Sequence, residues 1–281
     1  MFRTIGYCFS GAGPDHHANH GPLLFQPQLD ESLFPHWKLL YPKDQDTYQN
    51  VLELNNQLCE LVHLYLQQHI TPWVISADHS SAIGTWSGVA KFTNQPIGLI
   101  WIDAHLDAHT PETSITQNLH GMPVAHLLGK GDPSFSEIGT LYPKVDPEYL
   151  VYIGTRDYEP EELQFIKSTP ATIYTMTDIE ALGIEHILQK AVSHVSRCPA
   201  GYGLSLDIDA FDPEEITAVS TPSKNGIHFS AFCDAIKSLD QLTPLALEVT
   251  EYNANHDQND VTLKAITYLI HLMAAKNLAS S

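Results

Sequence analysis

Ile100-Trp101-Ile102-Asp103-Ala104-His105-Leu106-Asp107 is the stretch on which the reading of this chain turns. An apolar run rich in β-formers passes directly into alternating acid and imidazole. Short apolar runs of this kind read as buried strands, so 96–103 reads as a strand with a polar group at its carboxyl end. Side chains two apart on an extended chain face the same way. Asp103, His105 and Asp107 can therefore project together at the mouth of that strand. Leu204-Ser205-Leu206 repeats the design by leading into Asp207-Ile208-Asp209, with Asp212 just beyond. A third apolar run, 71–76, leads into Asp78-His79.

Further apolar runs at 149–154, 171–175, 202–208 and 244–250 also read as strands. Between them lie amphipathic stretches. In 47–69, Val51, Leu54, Leu58, Leu61, Val62, Tyr65 and Leu66 recur at helical spacing and make one face. Residues 159–168, 183–196 and 260–277 have the same character. Strands alternating with helices predict an α/β fold with a mainly parallel sheet covered on both faces. Ligands of such sheets bind beyond the carboxyl ends of the strands, which is where the acids and histidines fall.

Composition narrows the function. The chain has 281 residues, 43% of them hydrophobic, and no repeat or linker divides it, so it reads as one domain over 1–281. Lys and Arg number 14 against 33 Asp and Glu, a formal net charge of −19. So acidic a chain has no general attraction for nucleic-acid phosphates or anionic membranes. No apolar run reaches the length of a bilayer span, and the first residues lack the pattern of a signal peptide. Cys8, Cys59, Cys198 and Cys233 lie far apart, without a CxxC pair, and read as buried thiols of a cytoplasmic protein.

An isolated DxD at a strand end is more often a turn or cap acid than a metal ligand. Three acid- and histidine-bearing strand ends change that balance, because burying so many carboxylates without compensation would cost several kcal/mol apiece. Asp103, Asp107, Asp207 and Asp209 carry four negative charges, which two divalent ions would balance, and His79 and His105 add neutral nitrogen. Mostly hard oxygen with one imidazole per metal favours Mn²⁺ over Zn²⁺, with Co²⁺, Ni²⁺ or Fe²⁺ as substitutes. Two such ions roughly 3.5–4 Å apart lower the pKa of a shared water and supply hydroxide at neutral pH. The chemistry implied is hydrolysis.

These residues resemble a known family. Asp78-His79-Ser80, the run Asp103 to Asp107, Ser205-Leu206-Asp207-Ile208-Asp209-Ala210-Phe211-Asp212-Pro213 and Glu251-Tyr252-Asn253 look like the ureohydrolase signatures, in family order over 78–253. The resemblance implies a three-layer α/β/α fold with an eight-stranded parallel sheet, two Mn²⁺ per chain, and a homo-oligomer, trimer or hexamer. It also implies a small guanidino substrate. One metal would take His79, Asp103, Asp107 and Asp207, and the second His105, Asp209 and shared oxygens of Asp103 and Asp207. Asp107 would also steady the hydroxide, and Glu251 would hold the guanidinium.

Within the superfamily the loop Thr110-Pro111-Glu112-Thr113-Ser114, followed by Asn118-Leu119-His120-Gly121, is similar to that of arginases. His120 matches a histidine that passes a proton to the departing amine, and Glu159 and Glu162 match acids that recognise an α-amino group. Glu near a helix start is also favoured by the dipole, so that run has a structural reading of equal weight. Thr116, Asn118, His109 and Thr221 complete the implied substrate contacts. The departures cluster at one end: His109 stands in place of Asn, Glu159 in place of Asp, Thr116 in place of Ser and Gln117 in place of Gly. Ser76-Ala77 and Ala254 depart elsewhere. L-Arginine is the expected substrate. Agmatine, a guanidino acid or guanidine is the alternative, and a non-catalytic metal-stabilised homologue is the reading from another class.

Overall fold

The computed structural model describes residues 2–139 and 143–280. Their strands are β1 (Phe2–Tyr7), β2 (Lys38–Leu40), β3 (Thr71–Ser76), β4 (Ile97–Ile102), β5 (Val145–Thr155), β6 (Thr172–Thr175), β7 (Tyr202–Asp207) and β8 (Leu247–Thr250). They form one eight-stranded sheet in the order β2-β1-β3-β8-β7-β4-β5-β6, and every neighbouring pair is parallel. The longer helices are α1 (Thr47–Gln67), α2 (Ala82–Thr93), α3 (Pro160–Lys167), α4 (Ile184–Val195), α5 (Phe229–Ser238) and α6 (Val261–Ser280). None of the described helices is long and apolar enough to cross a membrane.

Alternation along the central strands divides the core in two. Ile100, Ile102, Leu204, Leu206, Leu247 and Val249 pack on one face with Ile187 and Leu188 of α4, Phe232 of α5 and Ile266 of α6. Leu99, Trp101, Val74 and Tyr152 face the other way, onto Leu54 and Leu58 of α1 and Trp86 of α2. The architecture is therefore three layers, α/β/α. Helix α1 begins where Asp46 accepts a hydrogen bond from the Gln49 N–H at 2.9 Å, a side-chain N-cap. Beyond its end, His69 turns the chain with a left-handed backbone, φ 57°.

Parallel pairing carries all carboxyl ends to one edge. There the neighbours β3, β8, β7, β4 and β5 run directly into residues 77–81, 251–253, 208–212, 103–109 and 156–162. Register keeps these ends level, since Ile102 pairs with Leu206 and Ile153, and Leu206 pairs with Val249. Asp103 and Asp207 consequently leave the sheet side by side.

Strand β7 also depends on a close approach. A Cβ on Gly203 would lie 2.0 Å from the Trp86 ring, and Trp86 is fully buried. Overpacking of this kind costs about 1–3 kcal/mol. We expect Gly203→Ala to lower the urea midpoint of unfolding with little change in slope. An unchanged midpoint would show that Trp86 can move aside.

Candidate active site

His79 lies fully buried in the turn after β3, with its ring stacked on Trp101 of β4 at 4.1 Å between centroids. Its Nδ1 faces Asp107 Oδ2 at 3.0 Å, Asp207 Oδ2 at 3.1 Å and Asp103 Oδ2 at 3.2 Å. No hydrogen bond satisfies that buried nitrogen by geometry. The other nitrogen, Nε2, lies 2.9 Å from Ser205 Oγ, whose hydroxyl donates to Glu248 Oε2 at 2.8 Å. Because the Ser205 proton is committed to Glu248, Nε2–H must be the donor to Ser205. The lone pair of Nδ1 then points at three carboxylate oxygens. That is the tautomer of a metal-ligating histidine with its outer nitrogen oriented by a second group.

A second cluster adjoins the first. His105 Nδ1 lies 3.2 Å from Asp209 Oδ2 and 3.3 Å from Asp103 Oδ1. His79, Asp103 and Asp107 form one set able to hold a cation, and Asp103, His105 and Asp209 form another. Asp103 belongs to both, with one oxygen turned to each. The fit to two divalent ions thus rests on an orphaned buried nitrogen and convergent hard donors. Electrostatics agree. Burial opposes charging His79 and His105, yet the surrounding aspartates outweigh it and both imidazoles stand well above their ordinary pKa. Burial and neighbouring carboxylates push Asp207 well above the usual range, and burial with Asp103 pushes Asp107 up to about 6. The site calls for positive charge.

The backbone is bent to deliver these groups. Asp107 and Glu251 both adopt left-handed conformations, φ 48° and 69°, which non-glycine residues hold only where surroundings impose them. At Asp107, the carbonyl accepts from Val124 N–H at 2.9 Å, while the next N–H, of Ala108, donates to Glu162 Oε1 at 3.0 Å.

Beside the clusters opens a cavity of about 130 Å³. Its walls include His105, Asp107, Asp207, Asp209 and His120, together with His109, Thr116, Asn118, Glu159, Glu162 and Thr221. The structure thus brings together all the substrate-contact candidates of the sequence except Glu251. Thr221 donates to Asp209 Oδ2 at 3.1 Å. At the far end His109 Nε2 stands 3.1 Å from Glu159 and 3.4 Å from Glu162. Glu162 also accepts from the Glu159 N–H at the start of α3, and both acids line the cavity. Burial and Glu159 push Glu162 up to about 8.

Glu251 is placed differently from the other candidates. It is buried and its Oε1 accepts from the His79 N–H at 2.8 Å and contacts His120 Nδ1 at 3.2 Å. It therefore backs His120 and does not figure among the cavity-lining residues. Burial opposes charging His120, but Glu251 dominates and raises it to about 9. Sequence reasoning passed over Ser205, Glu248 and the cavity-lining Ser114. A serine within Leu204-Ser205-Leu206 and a glutamate within Leu247-Glu248-Val249 were the available signals, since buried polar groups in strands need partners. His16, His17 and His20 are exposed, and buried His126 donates to the Met122 carbonyl instead.

The family model described as "Arginase family" matches residues 13–275. Arginase of Bacillus caldovelox is 35% identical over 229 residues, covering 81% of this chain and 76% of that protein. Arginase of Bacillus subtilis (strain 168) is 34% identical over 242 residues, covering 86% and 81%. A crystal structure of the B. subtilis arginase superposes with a TM-score of 0.89 at 29% identity, covering 99% of both chains. The chain belongs to the arginase family.

Ser205→Ala would leave the His79 tautomer unfixed. Loss of such an outer partner typically lowers metal affinity about 10–100-fold. Competition with a fluorescent chelator measures this, and unaltered affinity would mean that carboxylates alone orient the ring.

Proposed function

We propose that this chain hydrolyses the guanidinium group of L-arginine to L-ornithine and urea, with residues 1–281 acting as one domain. The supporting observation is the juxtaposition of two carboxylate–imidazole clusters with a cavity whose far wall carries two more acids. The reading includes two divalent ions per chain, Mn²⁺ foremost, a cytoplasmic setting and a homo-oligomer, trimer or hexamer.

His79, Asp103, Asp107 and Asp207 would hold one ion, and His105, Asp209, Asp103 and Asp207 the other. When bound, such a pair supplies hydroxide from water at neutral pH. The chain's own residues then act on the substrate. The acids around the cavity favour a cationic guanidinium, and Thr221 keeps Asp209 oriented. Asp107 lines the reacting end and accepts a hydrogen bond from the attacking hydroxide. Glu251 keeps His120 protonated, so the imidazolium can give its proton to the departing amine as C–N cleavage proceeds. The α-ammonium of arginine lies against Glu159 and Glu162, and its carboxylate falls to His109, Thr116 and Asn118.

His120→Asn should therefore lower kcat far more than it raises KM. General-acid groups contribute about 10²–10⁴-fold, and their loss acts on the transition state. Steady-state urea release at the wild-type pH optimum decides this; an undiminished kcat would reduce His120 to a loop residue.

A second reading concerns the tail. His109 stands against the two acids expected to take the α-ammonium, which favours looser selection at that end and keeps agmatine or a guanidino acid as alternatives. We expect arginine to lead agmatine in kcat/KM in the wild type, because agmatine lacks the carboxylate that orients the amine over the acids. Unpaired polar groups there cost on the order of 1–3 kcal/mol. In Glu162→Gln, arginine should lose most of its lead. Agmatine, or a guanidino acid without an α-amine, leading in the wild type would overturn the arginine assignment.

A further inference from the structure

Arg156 lies just beyond β5, and its half-buried side chain turns back across the carboxyl edge of the sheet. Among the described residues its guanidinium hydrogen-bonds six backbone carbonyls and no carboxylate. Nη2 donates to Asp209 O at 2.8 Å, Ser223 O at 2.8 Å and Phe211 O at 3.4 Å. Nη1 donates to Gly154 O and Ala210 O, both at 3.1 Å, and Nε to Lys224 O at 3.0 Å. The backbone N–H of Arg156 donates to Ala104 O at 2.8 Å, and that of Asp157 to the same oxygen at 3.0 Å.

These acceptors belong to separate segments that share one purpose. Ala104 lies between Asp103 and His105. Asp209, Ala210 and Phe211 follow β7, and Ser223 and Lys224 follow Thr221, which itself bonds the Asp209 carboxylate. Every segment so joined carries a residue of the His105–Asp209 cluster or its support. The His79 side is held by other means: Ser205 and Glu248 orient His79, and the Asp78 carboxylate accepts from Ala12 and Ser80 N–H. The two halves of the centre share Asp103 and are otherwise held by different partners.

We infer that Arg156 is a positioning residue for the second cation, its guanidinium joining the segments that bear Asp209 and Thr221 to the end of β5, where the backbone N–H groups of residues 156 and 157 hold the Ala104 carbonyl beside His105. This rests on the two-metal reading above. A planar guanidinium presents five N–H donors in a fixed fork, whereas a lysine ammonium has three on a flexible stem. Lysine keeps the charge but cannot reproduce contacts to three segments.

The experiment is Mn²⁺ binding to demetallated wild type, Arg156→Lys, Arg156→Gln, Asp209→Ala and Arg156→Lys/Asp209→Ala, followed by calorimetry and by electron paramagnetic resonance. Wild type should take two equivalents and show the exchange-coupled signal of a metal pair. In Arg156→Lys and Arg156→Gln one equivalent should bind as in wild type. The other should weaken about 10–100-fold, and sub-saturating Mn²⁺ should give an uncoupled spectrum. In the Asp209→Ala background, Arg156→Lys should have no further effect on binding, because the site it supports is already lost. At saturating Mn²⁺ the Arg156→Lys kcat should recover, which separates positioning from chemistry.

Equal weakening of both equivalents, no weakening, or an additive effect in the Asp209→Ala background would each overturn the proposal. So would failure of both Arg156 variants to fold, since that would make Arg156 a determinant of the fold as a whole. Fewer than two equivalents in the wild type would instead overturn the two-metal reading on which it stands.

Discussion

Four aspartates and two imidazoles converge where the sheet ends, and their mutual electrostatics govern the design around them. Asp103, Asp207 and Asp209 are almost completely buried, and Asp107 nearly so. Carboxylates this close and this dry cannot all ionise without a compensating charge. Arg156, whose guanidinium donates to carbonyls and interacts with Asp209 and Asp103 through space, sets one positive charge against the four aspartates. The histidines can compensate only by taking protons, and their raised pKa values express that demand. Divalent cations would meet the same demand and leave the imidazoles neutral. The arrangement is thus costly alone and stable when loaded, the usual thermodynamic linkage of a metal site to its fold.

Such a centre requires rigid support, and the sheet supplies it through polar groups built into apolar strands. Glu248 sits at the middle of β8 with no solvent exposure, accepting hydroxyl protons from Ser81, Thr85 and Ser205. Those bonds reach the turn after β3, helix α2 and strand β7, so one buried carboxylate ties three elements to the ring of His79. Trp101 serves the neighbouring strand likewise: its ring stacks on His79, and its indole N–H donates to Asp103 Oδ2 at 2.8 Å. The apolar layer and the polar centre are therefore connected side chain by side chain.

What could be read from the chain follows from where periodicity and chemistry coincide. Strands β3, β4 and β7 are mainly apolar runs that end in acids or lead into them, and they were legible, as were the acids beyond them. Strand β1 was not, because Arg3, Thr4 and Gly6 break its pattern, and the three-residue β2 is too short to show any pattern. Helix α2 escaped for a different reason. Gly84 and Gly88 read as weak helix formers, yet a Cβ at either would come within 2.6 Å of the Asn55 or Cys59 carbonyl. The glycines are the terms on which α2 lies against α1, and such a contact is invisible until both helices are placed. Glu251 shows the same limit: its strand-end position was legible, but its role in backing His120 depends on a loop about 130 residues away in sequence.

The reacting end and the tail end of the cavity differ in the scaffold behind them. Groups at the reacting end leave adjacent parallel strands whose register sets their spacing. A change there would disturb several buried charges at once. The tail end is built from the loop 109–121 and the first turn of α3, where Glu159 and His109 are partly open to solvent. Substituting a loop residue alters one contact and leaves the charge balance of the centre intact. The buried Glu162 is the link between the two ends, because its carboxylate accepts from Ala108, the residue after Asp107. The two ends are thus joined by a single hydrogen bond, even though they rest on different parts of the fold.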